Sequence, residues 1–164
     1  MRTYKLYLIK DEVAFHYLGR EIMFFQLFKE CSTATGDLKN VLTKQIHFIT
    51  KTIPAGKIKK ILKQELGGRN DFRAEGGRFE IRYGNSGSAS LEVKDKFLLV
   101  EAEGSYEAET IFFEVLRKTE SFFLAIDIGN ERYGWLRPIK KENRRKRKKF
   151  SGQILYNSFL SSTL

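Results

Sequence analysis

The sequence predicts an α+β fold, a single domain in which a largely antiparallel β-sheet packs against several α-helices. Stretches with strict two-residue alternation are short and end in glycine or polar turn residues, whereas stretches with helical periodicity are longer. The two kinds do not alternate regularly: a strand is followed by three helices, a meander of three strands, a helix and a hairpin. That order argues against a doubly wound parallel sheet. At 164 residues and 41% hydrophobic content, the chain suits one domain with a real core.

Residues 4–10 alternate, with Tyr4, Leu6 and Leu8 on one face and Tyr7 and Ile9 on the other, and read as a strand buried on at least one side. Residues 11–30 read as one helix. Asp11 is placed to cap it, and Glu12 suits the positive end of the helix dipole. Ala14, Leu18, Ile22 and Phe25 form a core-facing stripe, and Val13, Tyr17, Phe24, Leu27 and Cys31 form a second apolar row. Two rows suit either a helix packed on two sides or a helix that docks a partner through Tyr17. Gly19, inside this helix, costs about 1 kcal/mol relative to alanine. Close approach of another backbone or a partner would account for it.

After a polar break at 31–36, a second helix spans 37–51, with Leu38, Val41, Ile46 and Ile49 as its buried set. Pro54 separates it from a third helix at 55–66, which turns Ile58, Ile61, Leu62 and Leu66 inward and four lysines outward. Residues 67–87 repeat Gly-Gly-Arg, but no Gly-Lys-Ser/Thr ending or following helix makes this a phosphate loop. The stretch reads as a flexible connection into strands at 79–83 and 89–93, and 97–102 completes the meander. A helix at 106–119 and a hairpin of 122–126 with 133–136 follow.

The net charge of +10 is concentrated in one place: residues 140–149 hold eight Lys or Arg against Glu142, leaving +3 for the rest. Residues 1–139 are therefore expected to form the domain, and 140–164 a basic, disordered tail. Its Arg144, Arg145, Lys146, Arg147, Lys148 and Lys149 would contact phosphates if the chain bound nucleic acid. With Cys31 as the single cysteine, an internal disulfide is excluded. The absence of a leader-like or membrane-spanning apolar run makes a cytoplasmic protein the expectation.

Catalytic chemistry finds little support. His16 and His47 lie on separate predicted helices and read as surface residues, and no ligand spacing implies a metal or other cofactor. The acidic cluster Glu101, Glu103, Glu107 and Glu109 reads as helix-dipole stabilisation and surface solvation rather than a general acid/base pair. The chain is expected to be no enzyme and to have no small-molecule substrate.

Three blocks carry a resemblance: YLIKDEVAFHYLGRE near the start, YEAETIFFEVLRK at 106–118, and FLAIDIGNERYGWLRPIK at 123–140. In sequence, order and separation they resemble the SirA family, the sporulation inhibitors of replication of Bacillus-type bacteria. The resemblance implies a small cytoplasmic protein that binds the N-terminal domain of the replication initiator DnaA. Carried over position by position, it implicates Val13, Tyr17, Leu18, Gly19 and Arg20 on the exposed face of the first helix, together with Pro138. Val13 departs from the family pattern, in which an aromatic is usual at that place. The tail departs too, since family members end soon after the WLRPIK-like block. Nucleic-acid binding through the basic run is the alternative.

Overall fold

The computed structural model describes residues 1–138. The basic run and the rest of the predicted tail lie outside the described residues. In chain order, β1 (Arg2–Ile9) is followed by α1 (Asp11–His16), α2 (Ile22–Thr33), α3 (Gly36–Ile49), β2 (Thr50–Lys51) and α4 (Ala55–Leu66). Then come β3 (Phe72–Glu75), β4 (Arg78–Tyr83), β5 (Gly87–Val93), β6 (Phe97–Gly104), α5 (Glu107–Leu116), β7 (Phe123–Asp127) and β8 (Arg132–Trp135). The class is α+β, as predicted. Among the described residues the strands form one sheet in the order β3-β4-β5-β6-β1-β7-β8, with β2 paired to the end of β1, and every pairing is antiparallel.

The alternation of β1 decides the layering, because both of its faces are used. Tyr4, Leu6 and Leu8 join Val100, Leu91, Phe79 and Phe123 beneath Ile58, Leu62 and Leu66 of α4 and Phe112, Phe113 and Leu116 of α5. Each fully buried aliphatic side chain there stabilises the fold by roughly 1.5–3 kcal/mol. On the opposite face, Ile9, Leu124, Ile126 and Trp135 meet Ala14 of α1 and Phe24, Phe25 and Phe28 of α2, with Ile46 and Ile49 of α3 packed against them. The second helical layer thus covers the β1-β7-β8 end of the sheet.

A buried polar cluster fastens β1 to α5. Arg2 Nη2 donates to Glu109 Oε1 at 2.5 Å and Arg2 Nε to Oε2 at 2.9 Å, and the Tyr4 hydroxyl donates to the same carboxylate. Glu109 is 1% exposed. Solvation was the wrong reading for this member of the acidic cluster: it lies in the first turn of α5 but faces the sheet, where an Arg and a Tyr satisfy it.

The helix predicted over 11–30 is two helices. The chain leaves helical geometry at Tyr17, Gly19 takes φ +86°, and α2 starts at Ile22. A left-handed residue ends an α-helix, and glycine adopts that conformation without a Cβ penalty. Gly19 is therefore a helix breaker, with no atom near its would-be Cβ. The break resets the helical phase. Ile22, predicted to face the core, is half exposed, and α2 buries Phe24, Phe25, Phe28 and Cys31 instead.

Asp11 is not the cap: Lys10 occupies that position without a side-chain bond, and Asp11 pairs with Lys51 Nζ at 2.9 Å. In α3 the buried residue is Leu42, while Leu38 and Val41 are half exposed, because the helix rests on α2 along a narrow strip. The connection predicted before residue 79 contains β3, which pairs with β4. Gly76 and Gly77, at φ 58° and 80°, suit the tight left-handed turn that joins such strands.

Candidate protein-docking site

The break at Gly19 positions the candidate site. Val13 and Tyr17 from α1 and its end, Met23, Phe24 and Leu27 from α2, and Val41, Lys44, Gln45 and Phe48 from α3 line a groove of about 680 Å³. A continuous helix would have carried Tyr17 and Met23 along one straight rod. The turn sets them on two elements, and α3 supplies the facing wall. On α3 the wall residues recur at i, i+4 and i+7 as Val41, Gln45 and Phe48, a second stripe beside the inward Leu42, Ile46 and Ile49.

The groove is apolar at its base and open to water at its rim. Phe24 is buried at the bottom, and its ring meets the Tyr17 ring edge to face, with centroids 5.5 Å apart. Phe48 is 72% exposed, Val41 51% and Met23 46%, a concentration of large apolar groups that a solitary soluble surface rarely presents. Cations border it: Lys10 Nζ lies 4.8 Å from the Phe48 ring centroid, the Arg20 guanidinium 5.0 Å from that of Tyr17, and Lys44 stands on the α3 wall.

The predicted partner-binding residues divide. Val13 and Tyr17 line the groove. Arg20 is exposed beside Tyr17, and its Nη2 donates to the His16 carbonyl at 2.9 Å. Leu18 is half-buried against the core, and Gly19 forms the turn without lining the groove. Pro138, half-buried at the end of the described residues, is not among the lining residues. The reading from sequence missed Met23, Gln45 and Phe48, and it placed Val41 in the core. For Val41 and Phe48 the signal was the excess of apolar residues on α3, more than one buried stripe needs.

His16 and His47 are both exposed, on α1 and α3. Among the described residues no group of three or more His, Cys, Asp or Glu could hold a metal ion, and no helix is long and apolar enough to cross a membrane. A cleft of about 350 Å³ between β1, β7 and the end of α2 is lined by Lys5, Tyr7, Phe28, Cys31, Lys39 and Asn130, among others. Burial pushes the Tyr7 phenol there up to about 12.

The described residues therefore make an α+β domain that presents an aromatic, cation-rimmed groove of the kind that receives another protein. The chain belongs to the SirA family: a family model described as "Sporulation inhibitor of replication protein SirA" matches residues 2–140. A relative of that name from Bacillus subtilis (strain 168) is 41% identical over 145 residues, which cover 87% of this chain and 97% of the relative. The matched span takes in all the described strands and helices but leaves out the basic run from Lys141 onward.

Proposed function

We propose that this chain is a non-catalytic, cytoplasmic regulator that inhibits the initiation of DNA replication during sporulation, by binding the N-terminal domain of the initiator DnaA. The observation that carries this reading is the groove between α1, α2 and α3, with Tyr17 and Phe48 at its rim. It supports protein binding because large aromatics with polar surroundings are the usual anchors of compact interfaces. It also agrees with the sites that the family resemblance implies at Val13, Tyr17 and Arg20. A shallow wall at Val13, where an aromatic is usual, leaves more of the contact to Tyr17 and Phe48.

Mechanistically the regulator acts by occupation. Seated in the groove, the initiator domain loses that face to other copies of itself and to positive regulators, and no covalent step is required. The test is a titration of the isolated initiator N-terminal domain with the wild-type chain and with Tyr17→Ala. The account expects saturable binding by the wild type and a loss of ~1–3 kcal/mol on truncation of Tyr17, with the fold unchanged. Equal affinity in a folded Tyr17→Ala protein would remove the groove from the mechanism.

A further inference from the structure

We infer that Glu21 is the positioning residue of the docking surface: its buried carboxylate clamps the 17–20 turn onto the end of the sheet and so holds Tyr17 and Arg20 in their binding geometry. This rests on the docking reading above and extends it to a residue that does not line the groove.

Glu21 is 2% exposed, beside an exposed turn in which Gly19 and Arg20 face water. Its Oε2 accepts two hydrogen bonds, from the Gly19 amide at 3.1 Å and from the indole Nε1 of Trp135 at 3.2 Å. Its Oε1 is buried and has no hydrogen-bond partner among the described residues. No salt bridge to Glu21 is found among the described residues either, unlike Glu109 and Asp127, which are each paired with an arginine. A buried carboxylate held by two neutral donors is unfavourable unless the structure around it requires it. What requires it here is the turn.

The Tyr17 and Leu18 side chains pack against the core and Arg20 O accepts from Met23 N at 3.0 Å, while the other backbone hydrogen bonds of the 17–20 segment are local. Tyr17 N donates to Val13 O at 3.1 Å, Arg20 N to Tyr17 O at 2.8 Å and Leu18 N to Phe15 O at 3.4 Å, all within the same short stretch. Of the two bonds of Glu21, one holds the Gly19 amide within the turn and the other leads out to β8, where Trp135 is fully buried and packs edge to face on Phe24 at 5.9 Å. Phe24 in turn carries the Tyr17 ring. One carboxylate thus fixes the turn backbone and reaches the indole that packs on the floor under Tyr17. A positive-φ glycine with open space around it would otherwise leave this backbone free to rearrange.

The test compares full-length wild type, Glu21→Gln and Glu21→Ala by amide hydrogen exchange and by titration with the initiator N-terminal domain. Glutamine keeps an oxygen in place to accept from both donors; alanine keeps neither. The expected result is that Glu21→Ala speeds exchange at residues 17–20 at least tenfold while β1 and β6 amides stay protected, and weakens binding at least tenfold. Glu21→Gln should restore both to within about threefold of wild type. The clamp is overturned if exchange at 17–20 is unchanged in the alanine variant, or if glutamine is as damaging as alanine. Should the alanine variant not fold, Trp135→Phe removes the indole donor alone and must still speed exchange at Gly19; unchanged protection there sinks the idea. Failure of the wild type to bind the initiator domain would count against the docking reading only, because exchange at 17–20 judges the clamp without a partner.

Discussion

Phe48 is the residue whose position makes least sense in a protein without a partner. It is 72% exposed on α3 with the Lys10 cation over its ring, so removing it should cost the fold little, within about 0.5 kcal/mol. Under the proposed docking reading the same ring would serve as an anchor. We predict that Phe48→Ala leaves the denaturation midpoint nearly unchanged and weakens initiator binding by ~1–2 kcal/mol, measurable by parallel denaturation and titration. The opposite behaviour belongs to Glu109. Glu109→Ala removes the buried carboxylate that pairs with Arg2 and accepts from the Tyr4 hydroxyl, and should destabilise the chain by about 3 kcal/mol in a urea melt. The phenols add a pH dependence. Burial, then hydrogen bonding to Glu109, pushes Tyr4 well above its ordinary value of 10.0, and burial takes Tyr7 up to about 12. Both therefore stay neutral in the folded chain while their unfolded counterparts ionise. Their contribution is complete below pH 10 and falls as pH rises beyond it, by up to ~1.4 kcal/mol per pH unit for each phenol. Urea midpoints measured from pH 9 to 11 should fall, and Tyr7→Phe should flatten that fall.

At the level of elements, the pair α1 and α2 teaches the most. Their apolar residues were legible as helical, and Gly19 was visible as an irregularity, but spacing alone does not tell a tolerated glycine from a breaker. What decides it is the tertiary arrangement: the buried acceptor on Glu21 and the indole donor of Trp135 more than a hundred residues away. Gly19→Ala puts a Cβ on a backbone at φ +86° and should destabilise the chain by about 1–2 kcal/mol. In a continuous helix, the same change would have stabilised it, so a simple melt separates the two descriptions. α4 was legible almost to the residue, because four inward aliphatics and four outward lysines leave one choice of face, and three of the four aliphatics are buried. α3 was not, since apolar residues on two of its faces give no single answer until the groove is seen. β3 was lost among glycines that proved to be its hairpin turn.

On the scale of the whole molecule, β1 lies within a sheet covered by α4 and α5 on one face and by α1, α2 and α3 over one end of the other. The alternation of β1 predicted burial on at least one side, and the structure uses both faces. The alternation did not foretell that the second layer would leave a groove, because that depends on how three separate helices meet. The basic run at 140–149 lies outside the described residues, and most of it falls outside the span matched by the family. Binding through that run would be electrostatic and would weaken steeply with salt, whereas an apolar groove is far less sensitive to it.

The most direct measurement is therefore a calorimetric titration of the full chain against the N-terminal domain of the initiator from the same organism, at low and at moderate salt, with Tyr17→Ala alongside. The account predicts saturable binding that survives the added salt and drops when Tyr17 is truncated. No binding at either salt, or binding that vanishes with salt and ignores Tyr17, would contradict it.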